Sequence, residues 1–124
     1  MIDHLGVPVR DYTRSRAFYL AALKPLGVGA VMEVNAPGFS GLGLGRGGKP
    51  SFWIHEGEPL EGMHLALAAE SRAQVDAFHR AALAAGATDN GAPGLRPHYH
   101  PDYYGAFVID PNGINLEAVC HRPE

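Results

Sequence analysis

The stretch HLGVPVRDYTRSRAFYLAAL, His4–Leu23, returns sixty residues later as HLALAAESRAQVDAFHRAAL, His64–Leu83, and the two align without a gap. Seven of the twenty pairs are identical: His4/His64, Leu5/Leu65, Ala17/Ala77, Phe18/Phe78, Ala21/Ala81, Ala22/Ala82 and Leu23/Leu83. That is more than unrelated stretches of ordinary composition share, so the chain reads as one supersecondary unit used twice. A histidine heads both copies. Copies related by a pseudo-twofold axis would bring His4 and His64 to equivalent positions facing a shared cleft, which is how a metal site acquires two ligands.

The 124 residues amount to one domain, with module one over 1–58 and module two over 59–124. Neither half is long enough to be stable alone, so the two should share a core or pair with another subunit. A hydrophobic content of 46% with 19% charged residues fits a soluble globular protein. The net charge is only −3 and the basic residues are scattered, which argues against a nucleic-acid partner. No apolar run approaches the roughly 18 residues of a membrane span, and the opening MIDHLGVPVRD has neither part of a signal peptide. With Cys120 as the single cysteine, a reducing, cytoplasmic setting is expected.

Each copy spells the same order of elements. Ile2–Val9 reads as a strand with Leu5, Val7 and Val9 on one face and Ile2, His4 and Gly6 on the other. A helix should follow over Thr13–Lys24, with Asp11 as N-cap, Phe18, Ala21, Ala22 and Leu26 on its apolar stripe, and Pro25 and Gly27 as its stop. Strands are expected near Gly29–Val34, Gly41–Arg46 and Ser51–Glu56. In copy two, Met63, Leu65 and Leu67 oppose His64, Ala66 and Ala68. The S-x-x-Q box at Ser71–Gln74 opens a helix that Gly86 ends. Asn90–Asp102 reads as a long loop, and Asp110-Pro111-Asn112-Gly113 as the turn between strands Tyr104–Ile109 and Ile114–Cys120. The expected fold class is α+β: two βαβββ modules whose right-handed crossovers put the helices outside. The sheets form an incomplete barrel around a cleft, with the histidine-bearing faces inside. His79 should lie on the surface of the second helix, and His121 should be exposed near the terminus. Gly41-Leu42-Gly43-Leu44-Gly45 lacks the following lysine or helix start of a phosphate loop.

Glu117 is the third member of the constellation. It lies mid-strand, on the face opposite Leu116 and Ala118. A carboxylate there requires a cation or a wet face, because burying it unpaired is costly. Alone, a strand histidine or glutamate is read as structural or solvated; the repeat makes the two histidines equivalent. Two imidazoles and one carboxylate suit a divalent first-row metal with open positions for substrate.

The stretches DHLGVPVRDYTRSRAFY, GMHLALAAESRAQVDAFHRAALAAGA and YYGAFVIDPNGINLEAV carry a resemblance over the whole chain to the vicinal oxygen chelate superfamily. Its members include glyoxalase I, bleomycin-resistance proteins, fosfomycin-resistance proteins and extradiol dioxygenases. The strand–DPNG–strand element is the most specific part. The resemblance implies paired βαβββ modules and a divalent metal (Fe, Mn, Ni or Zn) held by His4, His64 and Glu117. It also implies a small-molecule substrate chelated through two neighbouring oxygens, and a homodimer, side by side or with modules exchanged. Glyoxalase I takes a fourth ligand from the last strand of module one, where Glu117's mate falls near Trp53. Trp53 cannot ligate, His55 shares its face, and Glu56 does not. Three ligands fit the fosfomycin-resistance or dioxygenase branches better. The implied activity is that of a lyase or isomerase, a thiol transferase or a dioxygenase. The alternative is a metal-independent drug-binding protein of the bleomycin-resistance type, whose acidic cleft the balanced charge here does not match.

Secondary candidates lie mostly in the loop Leu95–Tyr104, read as a lid over the cleft. His100 and Tyr103 are candidates for general acid–base work, or for stapling the loop to the rim. Arg96 is a candidate for an anionic substrate or a solvated arginine. Tyr104, Trp53 and His55 are candidates for substrate contact.

Overall fold

Asp11 and Ser71 start the two helices in the same way. Asp11 Oδ1 accepts from the Arg14 amide at 3.0 Å, and Ser71 Oγ from the Gln74 amide at 3.1 Å. The Gln74 side chain reaches back one residue beyond the N-cap, to the Glu70 amide at 2.8 Å. In this computed structural model, which describes all of residues 1–124, α1 spans Tyr12–Leu23 and α2 spans Arg72–Ala84. A 3-10 turn, Lys24–Leu26, prolongs α1 until Gly27 ends it at φ 75°. The buried stripe of α1 is Ser15, Phe18, Tyr19, Ala22 and Leu23. Ala21, expected inside, faces solvent. His79 is another correction: it is buried, and its Nε2 lies 2.9 Å from Asp89 Oδ1.

Eight strands form two sheets of identical order. In the first, β1 (Leu5–Val9) runs parallel to β4 (Phe52–Glu56), followed by antiparallel β3 (Phe39–Gly45) and β2 (Gly29–Ala36). In the second, β5 (His64–Ala68) runs parallel to β8 (Asn115–Cys120), followed by β7 (Tyr104–Ile109) and β6 (Thr88–Leu95). Each is a βαβββ module. β6 corrects the loop expected from Asn90: Gly91, Pro93 and Gly94 read as breakers, yet they sit in an edge strand whose register shifts between Asp89 and Gly91 and again between Gly91 and Gly94. An edge strand tolerates a proline, and bulges absorb the glycines.

Each sheet buries one face. Val7, Val9, Leu42, Leu44 and Ile54 from the first join Ala106, Val108, Leu116 and Ala118 from the second in a single core with both helices. The modules meet through the helices, α1 and its 3-10 turn against α2. The DPNG turn fastens this junction. The Tyr19 hydroxyl donates to Asp110 Oδ2, while Asp110 Oδ1 accepts from the Asn112 and Ile114 amides, both at 2.8 Å. Asn112 Nδ2 then donates to Ser15 Oγ at 3.0 Å. With the helix layer between them, the sheets stay open, and the faces that carry His4 and His64 turn outward. His4, Gly6, His64, Ala66 and Ala68 are all exposed. No helix is long and apolar enough to cross a membrane.

Candidate functional site

Strand alternation and register place the polar groups of module two. Glu117 pairs with Ala66 across β5 and β8, so it shares the outward face with His64. His64 Nε2 lies 2.8 Å from Glu117 Oε1. The Tyr103 hydroxyl donates to Glu117 Oε2. Capped by these two side chains, Glu117 is 0% exposed although its sheet face is open, while about half of the His64 side chain remains accessible (51%). Desolvation, then the hydrogen bond to Glu117, pushes the Tyr103 phenol well above the usual tyrosine range. Its ring lies edge-on to Tyr99 and His121, at 5.0 and 5.1 Å between centroids.

Module one is built differently at the equivalent place. Trp53 pairs with Gly6 as Glu117 pairs with Ala66, and Gly6 and Ala66 are repeat mates, so Trp53 stands where Glu117 stands in module two. The glycines of the G-L-G-L-G strand leave this face bare. A Cβ on Gly43 would come within 2.9 Å of the Trp53 indole, and one on Gly41 within 2.7 Å of the Phe39 ring. The rings lie over the glycine positions, and His55 stacks on Phe39 at 6.0 Å between centroids. At the start of the sheet, His4 Nδ1 lies 2.7 Å from Asp3 Oδ1, which leaves Nε2 free. Asp3 is held in turn by Lys49 Nζ at 2.7 Å. Lys49, then His4, draws the Asp3 carboxyl down to about 2.

Within one chain, therefore, His64, Glu117 and Tyr103 come together and His4 does not join them; no three histidine, cysteine or acidic side chains converge on one point. His100 stands beside His121 with ring centroids 5.7 Å apart, and its Nδ1 accepts from the Asp102 amide at 3.1 Å. Arg96 folds back on the end of β6 that it follows. It donates to the Gly94 and Ala92 carbonyls, each at 2.9 Å, and lies over Phe107. Tyr104 faces the helix layer: its hydroxyl donates to Asp76 Oδ1 at 2.7 Å, and that bond holds its proton more tightly than usual. Strand alternation turns Tyr103 outward and Tyr104 inward. Phe39 is not singled out by the sequence, and Gly41 and Gly43 enter there only as a run that does not match a phosphate loop. Their signal was the strict glycine–leucine alternation, which marks a strand with a packed face and a bare one. Asp3, Lys49 and His121 were missed as supports, and nothing in their spacing announces them.

A family model described as the glyoxalase/bleomycin resistance protein/dioxygenase superfamily matches residues 1–118. A glyoxalase/bleomycin resistance protein from Albidiferax ferrireducens T118 is 34% identical, with 98% of each chain covered and a TM-score of 0.76. A protein of the same family from Burkholderia phytofirmans PsJN is similar in fold at 23% identity, 98% coverage of each chain and a TM-score of 0.71. Glyoxalase I from Zea mays shares the fold at 18% identity and a TM-score of 0.73, over 99% of this chain and 45% of that one. No curated protein matches by sequence. The family match over nearly the whole chain, together with the paired βαβββ modules, shows that the protein belongs to the glyoxalase/bleomycin resistance protein/dioxygenase superfamily.

Proposed function

We propose that the protein is a metal-dependent enzyme acting on a small molecule with two neighbouring oxygens, and that its site is shared between two copies. His64 and Glu117 of one copy and His4 of a second would hold a divalent metal. The observation that carries this reading is the His64–Glu117 contact. A fully buried carboxylate on an outward face has an imidazole, with no lysine or arginine, as its ion-pair partner. The spacing fits the group. His64 Nε2 and Glu117 Oε1 lie 2.8 Å apart, so the two side chains would be able to hold one divalent ion between them. Two imidazoles and one carboxylate form the donor set of open-sited iron, manganese, nickel or zinc centres.

The supports agree with this assignment. Asp3 holds His4 by Nδ1, so both histidines present Nε2. His4 lies outside the His64–Glu117 contact in its own chain, which supports its supply by a second copy. A twofold homodimer, side by side or with modules exchanged, would meet that requirement and generate two equal sites. When bound, the metal would supply Lewis acidity to two adjacent substrate oxygens and stabilise negative charge developing there. The chain's residues do the rest: Glu117 and His64 fix the donors, and Trp53, Phe39 and His55 offer a flat aromatic wall. Trp53 at the mate of Glu117 leaves no carboxylate for a fourth ligand, which favours three-ligand chemistry over that of glyoxalase I.

Metal analysis of protein purified without chelator tests the reading. We expect about one divalent metal per chain in the wild type and essentially none in His64→Ala. Metal-free wild type, or metal unchanged by the substitution, contradicts the proposal and favours metal-independent binding of a small molecule.

A further inference from the structure

We propose that Tyr103 is a positioning residue that holds one oxygen of Glu117 out of play, so that Glu117 offers a metal a single oxygen. The proposal rests on the metal reading above and adds a role for a side chain outside the donor set. The two carboxylate oxygens are divided between different partners: Oε1 faces His64 Nε2, and Oε2 accepts from the Tyr103 hydroxyl. Glu117 is fully buried, so water does not compete for Oε2. A carboxylate without such a donor can bind a cation through both oxygens. One whose second oxygen is saturated by a phenol binds through one.

Tyr103 is fixed well enough to impose this choice. Its ring meets Tyr99 at 63° and His121 at 87°, so rotation of the ring is opposed on two sides. Its amide donates to the His100 carbonyl at 3.1 Å, and its carbonyl accepts from the Arg96 amide at 2.7 Å. Gly105 leaves the space in which hydroxyl and carboxylate meet. A Cβ there would lie 3.2 Å from both Glu117 Oε2 and Tyr103 Cε1. The segment read from sequence as a lid thus works as a buttress: His100, Tyr99 and Arg96 act on Glu117 through Tyr103. The functional consequence is a count of vacancies. On a bound metal, two imidazoles and one oxygen would leave one more position for substrate than the same set with a two-oxygen carboxylate.

The test uses full-length dimeric protein, Mn(II) as probe, and two readouts: the dissociation constant by competition, and the water-proton relaxation enhancement per bound Mn(II), which reports metal-bound water. In Tyr103→Phe, Glu117 is expected to close onto the metal with both oxygens. The enhancement should fall by about one third, as one of three open positions of an octahedral ion is lost. The dissociation constant sets the Mn(II) concentration that saturates each variant, so that the enhancement is read per bound ion. Gly105→Ala keeps the phenol but crowds its approach, and should shift the enhancement in the same direction by less. Wild-type enhancement in both variants would overturn the role of Tyr103 while leaving the metal reading intact. No Mn(II) uptake by wild-type protein would overturn both.

Discussion

The outward faces of the two modules descend from one pattern and have been put to different uses. In module two, β8 offers Glu117, β5 offers His64, and Tyr103 closes over the pair. In module one, the position of Glu117 is filled by Trp53, and its indole rests on the bare backbone of Gly43. His4 keeps the place of His64 but takes Asp3, one residue away, as its partner. One face therefore carries an imidazole–carboxylate pair closed over by a phenol, and the other carries aromatic rings and an imidazole whose Nε2 is free. The difference teaches that one repeat pattern can fill the same strand position with a buried carboxylate or with a ring over bare backbone; on the reading proposed above, each face supplies what the other lacks.

The sharpest break of this comparison is to remove the distinguishing residue of each face. Glu117→Ala should abolish divalent-metal uptake, measured by elemental analysis, whereas Trp53→Ala should keep the wild-type metal content. Equal loss in both would erase the distinction. Next in size is the junction between modules. Asp110→Ala strips an acceptor from the buried Tyr19 hydroxyl and from two amides, and should destabilise the fold by about 3 kcal/mol in urea unfolding. A loss under about 1 kcal/mol would mean that the turn does not fasten the modules. Gly43→Ala forces a Cβ within 2.9 Å of the Trp53 indole, and should cost about 1–3 kcal/mol. Trp53 is the only tryptophan, so a shift in its emission reports the displaced ring directly.

The smallest effect concerns acid. The Gly91 amide, then His79, holds the Asp89 carboxyl below its usual range. A depressed carboxyl stabilises the fold above its unfolded value, near 4, and that contribution fades as pH falls through the folded value. The melting-temperature gap between wild type and Asp89→Asn should therefore be small at pH 7 and close below about pH 4. A gap that widens in acid would contradict the sign.

Most of the fold is legible in the sequence because capping and alternation are local. Asp11 and Ser71 announce their helices, and the faces of β5 and β8 follow from counting by two. Chain connectivity is less legible where β6 carries two bulges, since glycine and proline signal a break whether the strand resumes or not. How the modules meet is not local at all. The repeat suggests that His4 and His64 face each other, but the same apolar stripes that build the helices also pair α1 with α2, and that contact turns both polar faces outward. Of the site, His64 and Glu117 are readable as a pair. The hold of Tyr103 on Glu117 depends on a ring stack and on the space left by Gly105, neither of which spacing encodes.

The central claim is that a site is completed by two copies, and mixing two inactive variants tests it most directly. His4→Ala and Glu117→Ala should each bind no metal. After unfolding and refolding together, half of the dimers carry one of each, and one of their two sites regains His4, His64 and Glu117. Metal content should then return to about one quarter of the wild-type level. If the mixture stays empty while wild-type protein taken through the same cycle reloads fully, the three residues do not form a site between copies, and the account is wrong.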